Sequence, residues 1–231
     1  MPLAALAYSR RERLRLQRDL TTTSYAILGQ LALRPWSAYE LTKEMQRNLH
    51  YFWPRAESRI YDEIKRLHSA GLATSKPSFT GRRRRMTYEI TDTGRHALAT
   101  WLEDDPLSGV ILESEGLLRV FEATAPEHVR AAVEAVRAQA AEMLPKAVSV
   151  GQEYLAERAP FQDRVRWRAY INDFLTSYAL MLEEWARRTE RAIEANEESS
   201  EEEIVHRALD LIAEKIDRIA AVTPLSAGTN D

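Results

Sequence analysis

PRAESRIYDEIKRLHSAGLATSKPSFTGRRRRMTYEI, residues 54–90, is the stretch whose reading decides the fold. Ile60, Ile64 and Leu67 recur at spacings of four and three and predict a helix over about residues 55–70 with one apolar face. Arg59, Asp62, Lys65 and Arg66 fall mostly on the other face. Gly71 follows the last periodic residue, as a C-terminal cap does. Residues 72–75 and 86–90 then read as strands that pair across a turn holding Gly81 and four consecutive arginines, Arg82, Arg83, Arg84 and Arg85. Four adjacent cations at a hairpin tip repel one another unless an anion offsets the cost.

A helix followed by a basic two-stranded hairpin is how a winged helix meets duplex DNA: the helix enters the major groove and the hairpin follows phosphates. The competing reading is a surface helix beside a solvated hairpin. Upstream, residues 22–33 read as a buried helix with Tyr25, Leu28, Leu31 and Ala32 inward, capped by Thr22 or Thr23 and ended by Pro35. Ser37 and Glu40 form a capping box that opens a second helix burying Leu41 and Met45. Tyr39 and Lys43 lie one turn apart near its start, where the first helix of a helix-turn-helix approaches the DNA backbone; for Tyr39, core packing is the alternative. The aromatic run at residues 50–54 reads as a plug between helices. Thr91 caps a further helix with Leu98, Trp101 and Leu102 inward.

The rest of the chain is helical in pattern. Residues 114–123 form a short helix with Leu117, Leu118 and Phe121 on its inner face. Thr124 and Glu127 read as a second capping box, with Pro126 in the first turn. After it, Val129, Val133, Val136, Ala140, Met143, Ala147, Val150 and Tyr154 make a heptad seam, kinked at Pro145. Residues 161–195 repeat the theme with Ile171, Phe174, Tyr178, Met181 and Trp185. The short turn at Ala159 and Pro160 makes the two long helices antiparallel neighbours. A last helix opens at Ser199–Ser200, carries an apolar stripe from Ile204 to Ile219 and stops at Pro224.

The fold class is therefore mainly α: an N-terminal winged helix-turn-helix with a two-stranded wing, then an all-helical, antiparallel coiled-coil-like part. The expected divisions are a basic arm (1–20), a DNA-binding domain (21–103), a helical dimerisation domain (104–224) and a disordered tail (225–231). Charge supports the division. The net charge of −3 hides 18 Lys+Arg against 9 Asp+Glu in residues 1–102, and 14 against 26 after them. The absence of cysteine excludes disulfides and thiolate chemistry and fits a cytoplasmic protein. No run is long and apolar enough for a membrane span.

Ser24-Tyr-Ala-Ile-Leu-Gly, Ser37-Ala-Tyr-Glu-Leu, Trp53-Pro with Ile60-Tyr61, Leu67 with Ala70-Gly71-Leu72, and Tyr88-Glu-Ile-Thr91 with Gly94 together resemble PadR-family transcriptional regulators over residues 21–102. The Phe-Trp-Pro approach into the helix is most similar to the long, virulence-activator-like subgroup. The resemblance implies a homodimer in which each winged helix reads half of a palindromic operator, as a repressor or an activator. It places Ser58, Arg59 and Tyr61 toward the groove, and Lys65 and the wing arginines on phosphates. It also implies that the helical C-terminal part builds the dimer. The residues expected there are Leu118, Phe121, Val133, Val136, Met143, Ile171, Phe174, Tyr178, Met181 and Trp185. Residues 56–59, Ala-Glu-Ser-Arg, depart from the subgroup's usual Ser-His-(Ser/Gln)-Gln, which leaves Glu57 either to accept from a cytosine or to cap the helix.

A winged-helix protein-interaction module without DNA binding is the alternative function. An enzyme is not supported: the five histidines lack ligand spacing, acidic pairs are adjacent in sequence, and no nucleophile has an identifiable base. No catalytic residue, metal or cofactor is expected. Trp101, Trp167, Tyr170, Phe174 and Trp185 would line a site for a small apolar or aromatic effector or fill a dry core. Core is the reading taken.

Overall fold

The computed structural model describes residues 20–80, 83–104, 107 and 109–222. The basic arm up to residue 19, Gly81, Arg82, Asp105, Pro106, Pro224 and the tail all lie outside the described residues. The chain divides into two compact units, one up to Val110 and one from Ile111.

In the first unit the order is α1 (Thr22–Leu33), β1 (Trp36–Ser37), α2 (Ala38–Leu49), α3 (Glu57–Ser69), β2 (Ala73–Thr80), β3 (Arg83–Ile90) and α4 (Asp92–Leu102). Helix α1 is capped by Thr21, not by Thr22 or Thr23, because only Thr21 has a short hydroxyl side chain, Ser24, three places on that can return the bond. Ser24 N–H donates to Thr21 Oγ1 at 3.2 Å and Thr21 N–H to Ser24 Oγ at 2.8 Å. The Ser37–Glu40 box forms as the sequence predicts, with Ser37 N–H 3.0 Å from Glu40 Oε2 and Glu40 N–H 3.3 Å from Ser37 Oγ. Helix α3 ends in a Schellman motif. Gly71 adopts φ 73°, Gly71 N–H donates to His68 O at 3.1 Å, and Leu72 N–H donates to Leu67 O at 3.0 Å.

The core of this unit is Ile27, Leu28, Leu31, Leu41, Ile60, Ile64, Leu67 and Leu72, all essentially inaccessible. Each such side chain contributes about 1.5–3 kcal/mol relative to leaving it in water. Ile27 joins this core although the sequence reading omitted it, whereas Ala32 stays half-buried. On α4 the buried positions are Gly94 and Ala97, Trp101 stacks on Tyr25 at 4.9 Å, and Leu102 faces solvent. A Cβ on Gly94 would meet Leu72 O at 2.2 Å, so only glycine lets α4 lie this close to the strand start.

The sheet is antiparallel and three-stranded, in the order β1-β3-β2. The sequence reading expected two strands. The third is the two-residue β1, with Trp36 opposite Tyr88 and Ser37 opposite Thr87. The hairpin also reaches further than expected, from Ala73 opposite Ile90 to Thr80 opposite Arg83. Arg83, Arg84 and Arg85 are thus strand residues rather than turn residues. The side chains of Arg84 and Arg85 point to opposite faces of the strand instead of crowding a tip. Pro77 is tolerated because β2 is an edge strand.

The second unit holds α5 (Glu115–Phe121), α6 (Pro126–Leu155), a 3₁₀ turn (Gln162–Arg164), α7 (Val165–Ala195) and α8 (Glu201–Val222). Ala125 is the N-cap of α6 and makes no side-chain bond, so the expected Thr124–Glu127 box does not form. Pro126 at the first position supplies the start instead. The α6 seam is buried at Ala132, Val133, Val136, Ala140 and Met143 and opens after Pro145, where Val150 is exposed. On α7 the fully buried residues are Ala179, Leu182 and Ala186. Tyr178 and Trp185 pack partly against this core, but Ile171, Phe174 and Met181 face solvent. Small side chains let the helix axes approach, so the alanine-bearing stripe faces α6 rather than the bulkier one beside it. Arg137 holds the pair together with two bonds to Glu190, from α6 to α7. Helix α8 is opened by a Ser200–Glu203 capping box. Its apolar residues, including Leu211, Ile212, Ile216 and Ile219, are exposed.

Candidate nucleic-acid interface

Helix α3 buries one face and offers the other. Ser58, Arg59, Asp62 and Lys65 are exposed and Tyr61 is half-buried, opposite the Ile60–Ile64–Leu67 stripe. Lys65 and Asp62 form an exposed pair at 3.5 Å, so an acid shares this face with the two cations. Helix α2 meets the start of α3 through Lys43, whose Nζ is 3.3 Å from Glu57. Lys43 also lies 5.8 Å from the Tyr39 ring, and Tyr39 itself is 58% exposed rather than core. Glu57 therefore pairs with α2 and makes no cap bond.

The wing contributes less uniformly than the sequence suggests. Arg84 is exposed on one face. Arg85 is half-buried on the other and lies 3.9 Å from Glu40. The Ser37 side chain and backbone N–H hold the Glu40 carboxyl below its ordinary value, helped by Arg34 and Arg85, so Glu40 stays charged and offsets Arg85. Arg83 belongs to β3, and its side chain and Arg82 lie outside what is described. Tyr39, Lys43, Ser58, Arg59, Tyr61 and Lys65 are thus gathered on α2 and α3, with Arg84 on the adjoining hairpin.

One polar cluster behind the exposed face escaped the sequence reading. Ser24, fully buried at the start of α1, donates its hydroxyl to Glu63 of α3. Arg66 grips the same carboxylate at 2.7 and 3.0 Å and reaches Ser24 Oγ at 2.9 Å. Burial alone would raise the Glu63 carboxyl, but the bonds from Arg66, Ser24 and Thr21 outweigh it and hold the group below its ordinary value. The cluster fixes α3 against α1 and so sets the angle of the exposed face. Its sequence signal was a polar residue one place before Ile64, at the border of the apolar stripe.

The residues expected at a dimer interface separate into three groups. Val133, Val136 and Met143 are buried inside the chain's own helical unit, at 3%, 5% and 3% exposure, which leaves them no surface for a second copy. Tyr178 and Trp185 are half-buried. Leu118, Phe121, Ile171, Phe174 and Met181 are exposed, so Leu118 and Phe121 do not line an inner face as expected. Among the described residues, no cluster of His, Asp or Glu could hold a metal, and no helix is long and apolar enough to cross a membrane.

An exposed helix presented beside a basic antiparallel hairpin defines the winged helix-turn-helix class. Residues 27–100 match the Transcriptional regulator PadR-like family. The negative transcriptional regulator PadR of Bacillus subtilis is 35% identical over 79 residues, 34% of this chain and 43% of that protein. The match covers less than half the length of the curated relatives. The crystal structure of B. subtilis PadR with operator DNA is similar over 75% of this chain and 99% of that one, with a TM-score of 0.64 and 20% identity. The Vibrio cholerae virulence activator AphA is similar over 75% and 99%, with a TM-score of 0.55 and 20% identity. B. subtilis PadR is also known in complex with p-coumaric acid. Over residues 27–100 the chain thus carries a PadR-like domain, and the curated proteins it resembles there are transcriptional regulators.

Proposed function

We propose that the chain is a sequence-specific DNA-binding regulator, a repressor, that acts as a cytoplasmic homodimer on a palindromic operator. The observation that carries this reading is the exposed α3 face bearing Ser58, Arg59 and Lys65 beside the exposed Arg84 of the wing. Residues 21–103 read the DNA and residues 104–224 build the dimer. Val133, Val136 and Met143 are left out of the interface. Leu118, Phe121, Ile171, Phe174 and Met181 supply it, together with the exposed stripe of α8. Met181 of α7 and Ile219 and Val222 of α8 line one groove, and exposed apolar patches of this kind mark interaction surfaces. Two copies would set the recognition helices one DNA turn, about 34 Å, or a multiple of it apart.

The test is to replace Arg82, Arg83, Arg84 and Arg85 by alanine in the full chain and measure binding to a pool of random-sequence duplexes. Loss of binding with the fold intact supports the regulator. Unchanged binding removes the wing from the interface. Absence of binding even by the unaltered chain would leave the protein-interaction module as the reading. A small aromatic or apolar effector is proposed as the signal, and its mark is release of bound DNA by a phenolic acid.

A further inference from the structure

The face of the hairpin that carries Arg84 also carries an apolar patch. The register stacks four rungs on that face: Ala73 with Ile90, Ser75 with Tyr88, Pro77 with Met86, and Phe79 with Arg84. The base of the face is covered, with Ala73 and Ile90 at 2% and 6% exposure. Toward the tip it opens: Met86 is 39% exposed, Phe79 is 70% exposed, and Pro77 and Arg84 are exposed. Arg85 points to the opposite face, where Glu40 faces it. Arg84 has no carboxylate partner among the described residues. Proline, methionine and phenylalanine thus keep much of their apolar surface in solvent on the rungs that lead to the one exposed, described wing arginine.

We propose that Phe79 and Met86 form an apolar wedge that enters the minor groove of the operator beside Arg84, unstacks a base step and bends the duplex. This rests on the DNA-binding reading. Duplex DNA is the occupant the chemistry favours. The minor groove offers apolar sugar walls and a negative potential at its floor, which match a ring and a guanidinium directly opposite one another across a strand pair. An apolar protein partner would leave Arg84 unmatched. The wedge also selects sequence without base hydrogen bonds, because pyrimidine–purine steps such as TA and CA unstack most readily.

The experiment uses the full chain and a duplex selected from a random-sequence pool, labelled at its two ends with donor and acceptor dyes. The unaltered chain shortens the end-to-end distance. Phe79→Ala weakens binding about tenfold or more, as loss of one stacked ring does, leaves the duplex straight and keeps the salt dependence unchanged. Phe79→Leu restores part of the bend. Arg84→Ala lowers the salt slope by about 1. Because Phe79 is largely exposed, its replacement leaves the fold intact. Binding and bending by Phe79→Ala equal to those of the unaltered chain would overturn the wedge while leaving DNA binding standing. No binding by the unaltered chain at low salt would overturn both.

Discussion

Glu63 gives the most demanding prediction about how the recognition helix is held. Replacing it by alanine removes the acceptor for a fully buried Ser24 hydroxyl and for the two Arg66 bonds. A buried donor left without a partner costs about 1–3 kcal/mol. Arg66 is 41% exposed and returns to water, so its share is small. Glu63→Ala therefore destabilises by about 2 kcal/mol, a melting shift of roughly 8–16 °C for a unit of this size. Glu63→Gln keeps an acceptor for Ser24 and loses under about 1 kcal/mol. The pH dependence has a fixed sign. The folded carboxyl lies below its ordinary 4.5, so its stabilisation is full above that pH and is lost as the pH falls through the lowered value. The unaltered chain and Glu63→Gln then converge in acid. Urea unfolding followed by circular dichroism, from pH 7 down to 3, reads both effects. A Glu63→Ala change under about 0.5 kcal/mol at pH 7, or a difference from Glu63→Gln that does not vary with pH, would refute the account of this cluster.

Gly94→Ala drives a Cβ to 2.2 Å from Leu72 O and destabilises the first unit by at least about 1–3 kcal/mol, read by thermal melting. Phe174→Asp, at a half-exposed position on the uncovered stripe of α7, shifts the chain from dimer to monomer in sedimentation velocity without lowering helix content. An unchanged sedimentation coefficient would remove that stripe from the interface.

Much of the first unit was legible because its signals are local. Ile60, Ile64 and Leu67, the Gly71 stop and the Ser37–Glu40 box each act within one helical turn, and all appear as read. Three features were not legible for physical reasons. The two residues of β1 are too few to show a period, and their pairing with Tyr88 and Thr87 is long-range. The outer hairpin lacks alternation of polarity, because near its tip both faces meet solvent, so its arginines read as a turn. On α7 the bulky stripe at Ile171, Phe174 and Met181 carries the stronger apolar pattern, yet the close approach to α6 is made by Ala179 and Ala186. In the candidate site, Tyr39, Lys43, Ser58, Arg59 and Lys65, read as outward-facing, are exposed on α2 and α3. The partners Glu57 for Lys43 and Glu40 for Arg85 come from other elements, and no spacing rule reveals them.

The central claim is that the α3 face and the wing bind duplex DNA through phosphates and read its sequence. Its most direct test is equilibrium titration of the full chain against the DNA upstream of its own coding region and a scrambled duplex of equal length, at three salt concentrations. Arg59, Lys65 and Arg84 give three exposed cations per subunit. A dimer neutralising six phosphates has a slope of log K against log salt of about −5. The account predicts that slope on both duplexes, with markedly tighter binding to the upstream DNA. Equal affinity for both duplexes would contradict sequence reading, and no binding even at low salt would contradict the claim outright.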